Sequence, residues 1–219
     1  MENTVSKKDF HPIWMYLVIF FGVQLLAGMI LGVIYRGEVS QISDKLLTII
    51  TIVTYAVLFL VFVLIYFKRI KDDCKRLTKK NIIFILISAV VLIVLNYLIS
   101  SLFESLDVEM NNQDTITGLM DNYKVLMIIA VTLFAPLAEE FVYRYSLSSI
   151  IKNDILFIII SSIIFGLMHG IGIVTTVYVL MGAILAIVYL KTDKNIASST
   201  IVHILNNAFA VLTMFILLK

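Results

Sequence analysis

Residues 125–144 read VLMIIAVTLFAPLAEEFVYR, an apolar run that ends in two adjacent carboxylates, Glu139 and Glu140, and an arginine, Arg144. About 20 apolar residues suffice for a helix to cross a bilayer. An ionisable side chain near the bilayer centre costs roughly 2.5 to 3.5 kcal/mol on insertion scales. Three of them close together require pairing, an aqueous cavity or chemistry, so the stretch reads both as a span and as a candidate functional site.

The chain around it has the same character. Of its 219 residues 61% are hydrophobic and 15% charged, with mean hydropathy +1.03, more apolar surface than a water-soluble domain could bury. Apolar runs place spans near 13–35, 46–67, 82–103, 125–147, 155–170, 173–190 and 196–218. The fifth and sixth are short and separated only by Gly170, Ile171 and Gly172, the pattern of a tight helical hairpin. The expected fold is all-α: a polytopic membrane helix bundle of about seven transmembrane helices, with an eight-helix or re-entrant variant as the alternative. We read 1–219 as one integral membrane domain and 124–210 as its motif-bearing core. Repeats, phosphate-binding loops and signs of a nucleic-acid partner are absent from the sequence.

Lys and Arg are retained on the cytoplasmic side of a membrane. Lys68, Arg69, Lys71, Lys75, Arg76, Lys79 and Lys80 fall between the second and third spans. With Lys7, Lys8, Lys152, Lys191 and Lys194 they share one side in the seven-span arrangement, which makes the amino terminus cytoplasmic. Glu104, Asp107, Glu109, Asp114 and Asp121 fall on the other side, in a segment without Lys or Arg. The basic segment reads as a solvated turn that fixes topology, with anionic headgroups as its second partner. Trp14, Tyr16, Tyr35 and Tyr66 lie near predicted span ends, where amphipathic rings favour the headgroup region. The first run reads as a signal anchor in the cell membrane rather than a cleaved signal peptide. Cys74, the single cysteine, excludes an intramolecular disulfide.

Few polar residues interrupt the later spans. Glu140 and Arg144, and likewise His203 and Asn207, stand four apart and share a helix face. At 1.5 Å per residue, Glu139, His169 and His203 lie roughly 14, 21 and 11 Å in from the cytoplasmic ends of their helices. Carboxylate, imidazole and carboxamide groups from three helices thus fall in one band, as a shared buried cavity requires. Each has a plainer reading: an intrahelical ion pair for Glu140 and Arg144, a packed or helix-capping His169, and hydrogen-bonding glue between helices for His203 and Asn207, with Asn206 the alternative donor. Pro136, three residues before Glu139, disturbs the helix upstream and opens space beside the carboxylates.

Glu139-Glu140-Phe141-Val142-Tyr143-Arg144, Phe165-Gly166-Leu167-Met168-His169 and His203-Ile204-Leu205-Asn206-Asn207 fit, in order, the motifs Glu-Glu-x-x-x-Arg, Phe-x-x-x-His and His-x-x-x-Asn. The chain resembles the CPBP intramembrane proteases, the Abi or CAAX-protease-like family that includes the type II CAAX prenyl endopeptidases. The resemblance implies peptide-bond hydrolysis in a membrane-embedded cavity, with Glu139 and His169 activating a water. Glu140 assists or holds Arg144, His203 and Asn207 stabilise the oxyanion, and Arg144 is a structural ion-pair partner. The family is commonly labelled metalloprotease, and Glu139, His169 and His203 make a zinc donor set. The chain has no His-Glu-x-x-His helix, however, and the favoured reading requires no cofactor, with Zn2+ as the alternative. The Lys- and Ile-rich chain reads as bacterial, and its expected partner is a peptide or membrane-protein substrate. Bacterial relatives are linked to bacteriocin processing and self-immunity. The competing functions are a non-catalytic immunity or binding protein and, further off, an ion-coupled transporter, which should show interrupted helices in both halves.

Overall fold

The computed structural model describes residues 10–36, 43–105, 123–173 and 175–217. They form seven helices: α1 (His11–Ile34), α2 (Asp44–Lys75), α3 (Lys79–Ser105), α4 (Tyr123–Ile150), α5 (Asp154–Met168), α6 (Thr175–Lys191) and α7 (Ile196–Leu217). Five are long and apolar enough to cross a membrane, and α5 and α6 are shorter apolar helices. Every expected span therefore has its helix, and no eighth appears among the described residues. Lys7, Lys8 and the acidic residues Asp107, Glu109, Asp114 and Asp121 lie outside the described residues, as does the side chain of Glu104. In hydrocarbon a helix satisfies all its interior backbone groups within itself, which is why uniformly apolar runs adopt this form.

The bundle is arranged around α4, which touches α1, α2, α5, α6 and α7, while α3 packs along α7 and α1 against α2. The closest pairing is the α5–α6 hairpin. A Cβ on Gly182 would stand 2.9 Å from the Ser162 Cα, and one on Gly166 2.5 Å from Val179 Cγ2, so both glycines are needed for the helices to approach this closely. In the turn between them Thr175 donates its hydroxyl to Gly170 O (2.6 Å) and accepts from the Gly172 amide (3.1 Å).

Two expectations are corrected. The basic segment is not a loop, because α2 continues to Lys75 and only Arg76 to Thr78 separate it from α3. The reason is Asp73, which is buried and holds three groups: Arg69 Nε at 3.0 Å, Arg76, and the backbone amide of Ile196 at the start of α7 at 2.8 Å. Asn195 Nδ2 donates to Asp73 O at 2.9 Å and Arg69 donates to Lys194 O at 2.7 Å. Tyr16, expected near a headgroup, is instead buried and stacked on Phe20 at 5.5 Å, whereas Trp14 is exposed.

Asp73 thus caps α7 from another helix. Asp73→Ala removes a charged acceptor from a helix N-terminus and is expected to destabilise the bundle by about 2 kcal/mol. Earlier thermal unfolding in detergent would register the loss. An unchanged unfolding temperature would mean that Asn195 alone secures the start of α7.

Candidate active site

The site is built on an irregular stretch of α4. Ala130–Phe134 and Phe141–Ser146 wind as π-helix, flanking the α-helical Ala135–Glu140. Pro136 accounts for the first widening. The Ala135 amide bonds Ala130 O, and in the same register Val131 O would be served by residue 136, which has no N–H. Asn207 Nδ2 on α7 donates to Val131 O instead, at 3.0 Å. The upstream disturbance expected from Pro136 thus takes the form of a wider turn. Single π-turns inside α-helices occur frequently at functional sites.

The middle segment carries Glu139 and Glu140 into the bundle, both buried. Glu139 Oε2 lies 3.8 Å from His169 Nε2 and 3.7 Å from His203 Nε2. Glu140 faces the other way: Oε1 is 3.1 Å from His203 Nδ1, and Oε2 is 3.2 Å from Arg144 Nε. The two carboxylates therefore have different company. Glu139 meets two imidazoles from two helices, whereas Glu140 is tied to a guanidinium on its own helix and to the back of the His203 ring. Arg144 is wholly buried, in ion-pair contact with Glu140 but not aligned for a hydrogen bond, and its guanidinium lies 5.1 Å above the Phe165 ring.

His169 ends α5. Its Nδ1 lies 2.7 Å from Phe165 O, one of the carbonyls a helix C-terminus leaves without an intrahelical partner. Since a carbonyl only accepts, the proton is on Nδ1 and the Nε2 lone pair faces Glu139. The capping reading of this residue therefore leaves its other ring nitrogen turned toward Glu139. The ring is sandwiched between Phe165 (4.4 Å between centroids) and Tyr178 of α6 (4.4 Å, 18° between planes). Phe165 also meets His203 edge-on at 5.7 Å and Tyr143 at 5.2 Å. Phe165 is thus the packing centre of the site, four residues before His169 on one helix face, a spacing the sequence displayed without indicating its purpose. Tyr178 had no sequence signal, since a tyrosine on an apolar helix is unexceptional.

Four of the five expected site residues, Glu139, Glu140, His169 and His203, meet directly. Asn207 lies one turn further along α7, bonded to the α4 backbone and, through Oδ1, to Asn206 Nδ2 at 3.3 Å. The donor chemistry of Glu139, His169 and His203 suits zinc, and the carboxylate behind His203 is the kind of support a metal-bound histidine has. As placed, no three such side chains among the described residues are grouped closely enough to hold a metal ion. What the three do offer is a set of polar atoms converging on one small space. A water there can donate one hydrogen to Glu139 and the other to His169.

A family model described as type II CAAX prenyl endopeptidase Rce1-like matches residues 121–209, which include α4 to most of α7 and every residue of this cluster. Over these residues the chain is similar to the CPBP family. The chain's relatives include two Lactococcus lactis subsp. lactis (strain IL1403) proteins. UPF0177 protein YajF is 30% identical over 132 residues, 59% of this chain and 66% of the relative. UPF0177 protein YaiH is 27% identical over 132 residues, 59% of this chain and 56% of the relative. An uncharacterized protein of Mycoplasma capricolum subsp. capricolum (strain California kid / ATCC 27343 / NCTC 10154) is 29% identical over 174 residues, 72% of this chain and 51% of the relative. The chain thus spans between about half and two thirds of the length of these curated relatives. No solved structure matches it. The CPBP likeness rests on the second half, whereas α1 to α3 lie outside the matched residues.

Proposed function

We propose that this CPBP-like protein is an intramembrane endopeptidase that hydrolyses a peptide bond in a peptide or membrane-associated protein. The observation that carries this reading is the convergence of Glu139, His169 and His203 from α4, α5 and α7 on one buried point. Glu139 takes a proton from a water that it orients with His169 Nε2, and the hydroxide equivalent attacks the scissile carbonyl. Positioned acid–base groups of this kind contribute about 10²–10⁴-fold. In its cationic form His203, backed by Glu140, donates Nε2–H to the developing oxyanion, and Asn207 offers the amide hydrogen that Val131 O does not take. Glu139 then returns its proton to the leaving amine, so that the water is consumed and two peptide ends result. Arg144 neutralises Glu140 and takes no part in proton transfer.

An apolar groove between α1, α4 and α5, lined among others by Tyr16, Val142, Tyr143 and Ile164, supports a hydrophobic substrate segment. Tyr143 stands four residues after Glu139, about one turn along α4, so the groove adjoins the turn that carries the carboxylate. In this reading the basic end of the bundle faces the cytoplasm of a bacterial cell.

Comparative peptidomics of cells expressing the intact chain or Glu139→Ala, at equal membrane levels, tests the proposal. Peptides present only with the intact chain are the expected result; matching peptidomes would replace the peptidase with a binding or immunity protein. Because no step is assigned to a metal, cleavage by purified protein is expected to survive chelation within about twofold, far inside the 10²–10⁴-fold range of a lost catalytic group. Activity lost to a chelator and restored by Zn2+ would overturn the metal-free mechanism and place zinc on Glu139, His169 and His203.

A further inference from the structure

Three carboxamides form a directed relay across the bundle. Asn96 of α3 donates Nδ2–H to Asn206 Oδ1 at 2.8 Å, Asn206 Nδ2 donates to Asn207 Oδ1 at 3.3 Å, and Asn207 Nδ2 donates to Val131 O at 3.0 Å. Asn206 Nδ2 also lies 3.6 Å from Met181 Sδ. An amide can present either its oxygen or its nitrogen to a neighbour, and the network decides which. Asn96 occupies the Asn206 oxygen, which turns the Asn206 nitrogen to Asn207; Asn207 in turn points its nitrogen at the carbonyl that Pro136 leaves without a helical partner. The relay therefore ends on the π-turn that leads into Glu139.

We propose that Asn96 is a positioning residue for the peptidase site, acting through Asn206 and Asn207 to hold the π-turn at Ala130–Phe134 and so fix the placement of Glu139. The inference rests on the peptidase reading for its kinetic consequence but not for its structural one. It also gives α3, which lies outside the family-matched residues, a part in the chemistry. The first and last links are interhelical hydrogen bonds of modest strength, and the middle one joins neighbours on α7. Its leverage lies in orientation, since displacing a reacting group by about 1 Å can cost 10²-fold in rate.

The test uses the full chain in lipid nanodiscs and the peptide recovered by the peptidomic comparison. Asn96→Leu is expected to lower kcat about 10- to 100-fold with KM within about twofold, and Asn96→Leu combined with Asn206→Leu to be no slower than Asn206→Leu alone. Hydrogen exchange of the 130–140 backbone is expected to quicken in the single variant. Asn96→Ala, which removes the donor without adding bulk or charge, should behave alike and replaces Asn96→Leu if that variant fails to fold. Unchanged kcat, a change confined to KM, or independent effects in the double variant would overturn the proposal. If the intact chain cleaves nothing, the peptidase reading fails by itself and the exchange measurement decides the relay: faster exchange supports it, unchanged exchange overturns it.

Discussion

Glu139→Gln is expected to reduce peptide cleavage by about 10²–10⁴-fold while leaving the protein folded in the membrane. Glutamine keeps the length and hydrogen-bonding outline of the side chain but cannot accept a proton from water. Among the described residues the ion-pair partners of Glu139 are His169 and His203, so its neutralisation strands no permanent charge in such a pair. His169→Ala should lose activity over a similar range. Turnover of a synthetic substrate by detergent-purified protein, with thermal unfolding measured on the same samples, checks both. Cleavage at the wild-type rate by folded Glu139→Gln would remove this residue from the mechanism, and with it the reading of the cluster as an active site.

One residue along, the same substitution should do something different. Glu140→Gln leaves Arg144 buried without its counter-charge, and breaking a buried ion pair from one side costs about 3–5 kcal/mol. The expected result is a low folded yield and early unfolding rather than a stable, inactive protein. Replacing both, as Glu140→Gln with Arg144→Met, should recover part of the loss, because the uncharged pair no longer contains an orphaned charge. A Glu140→Gln protein as stable as the wild type would show that Arg144 finds compensation elsewhere. The two neighbouring glutamates are thus separable, one by rate and the other by stability.

Much of this was legible from composition and spacing because the bilayer simplifies folding. Long apolar runs must be helical, and seven runs gave seven helices with ends displaced by a few residues. The large exception is the end of α2, where charge was read as solvation although Asp73 is buried under two arginines as the cap of a distant helix. The cluster was legible because ionisable groups in apolar spans are rare enough to find one another. Helix rotation was not. Residues on α1 or α3 that face lipid are as apolar as those that face protein, so sequence periodicity does not report which side packs. Tyr16 was misplaced for that reason, and Asn96 could be noticed as polar but not paired. The π-turns escaped because an extra residue per turn leaves no compositional trace; only Pro136 hinted at the first of them.

The hairpin has a last consequence. Its arms of 15 and 17 residues reach only about 22 and 26 Å, against a hydrocarbon layer of about 30 Å. Ile171 at its tip is 95% exposed, and the Thr175 hydroxyl already serves the polar groups of the turn. A hairpin of this length entering from the basic end would bring its tip among acyl chains rather than into water, with the surrounding lipid thinned or splayed to meet it. His169 sits one residue before that turn. In the proposed peptidase the length of the neighbouring fatty acids would then bear on where the His169 nitrogen is held, which makes membrane thickness a physical input to the site.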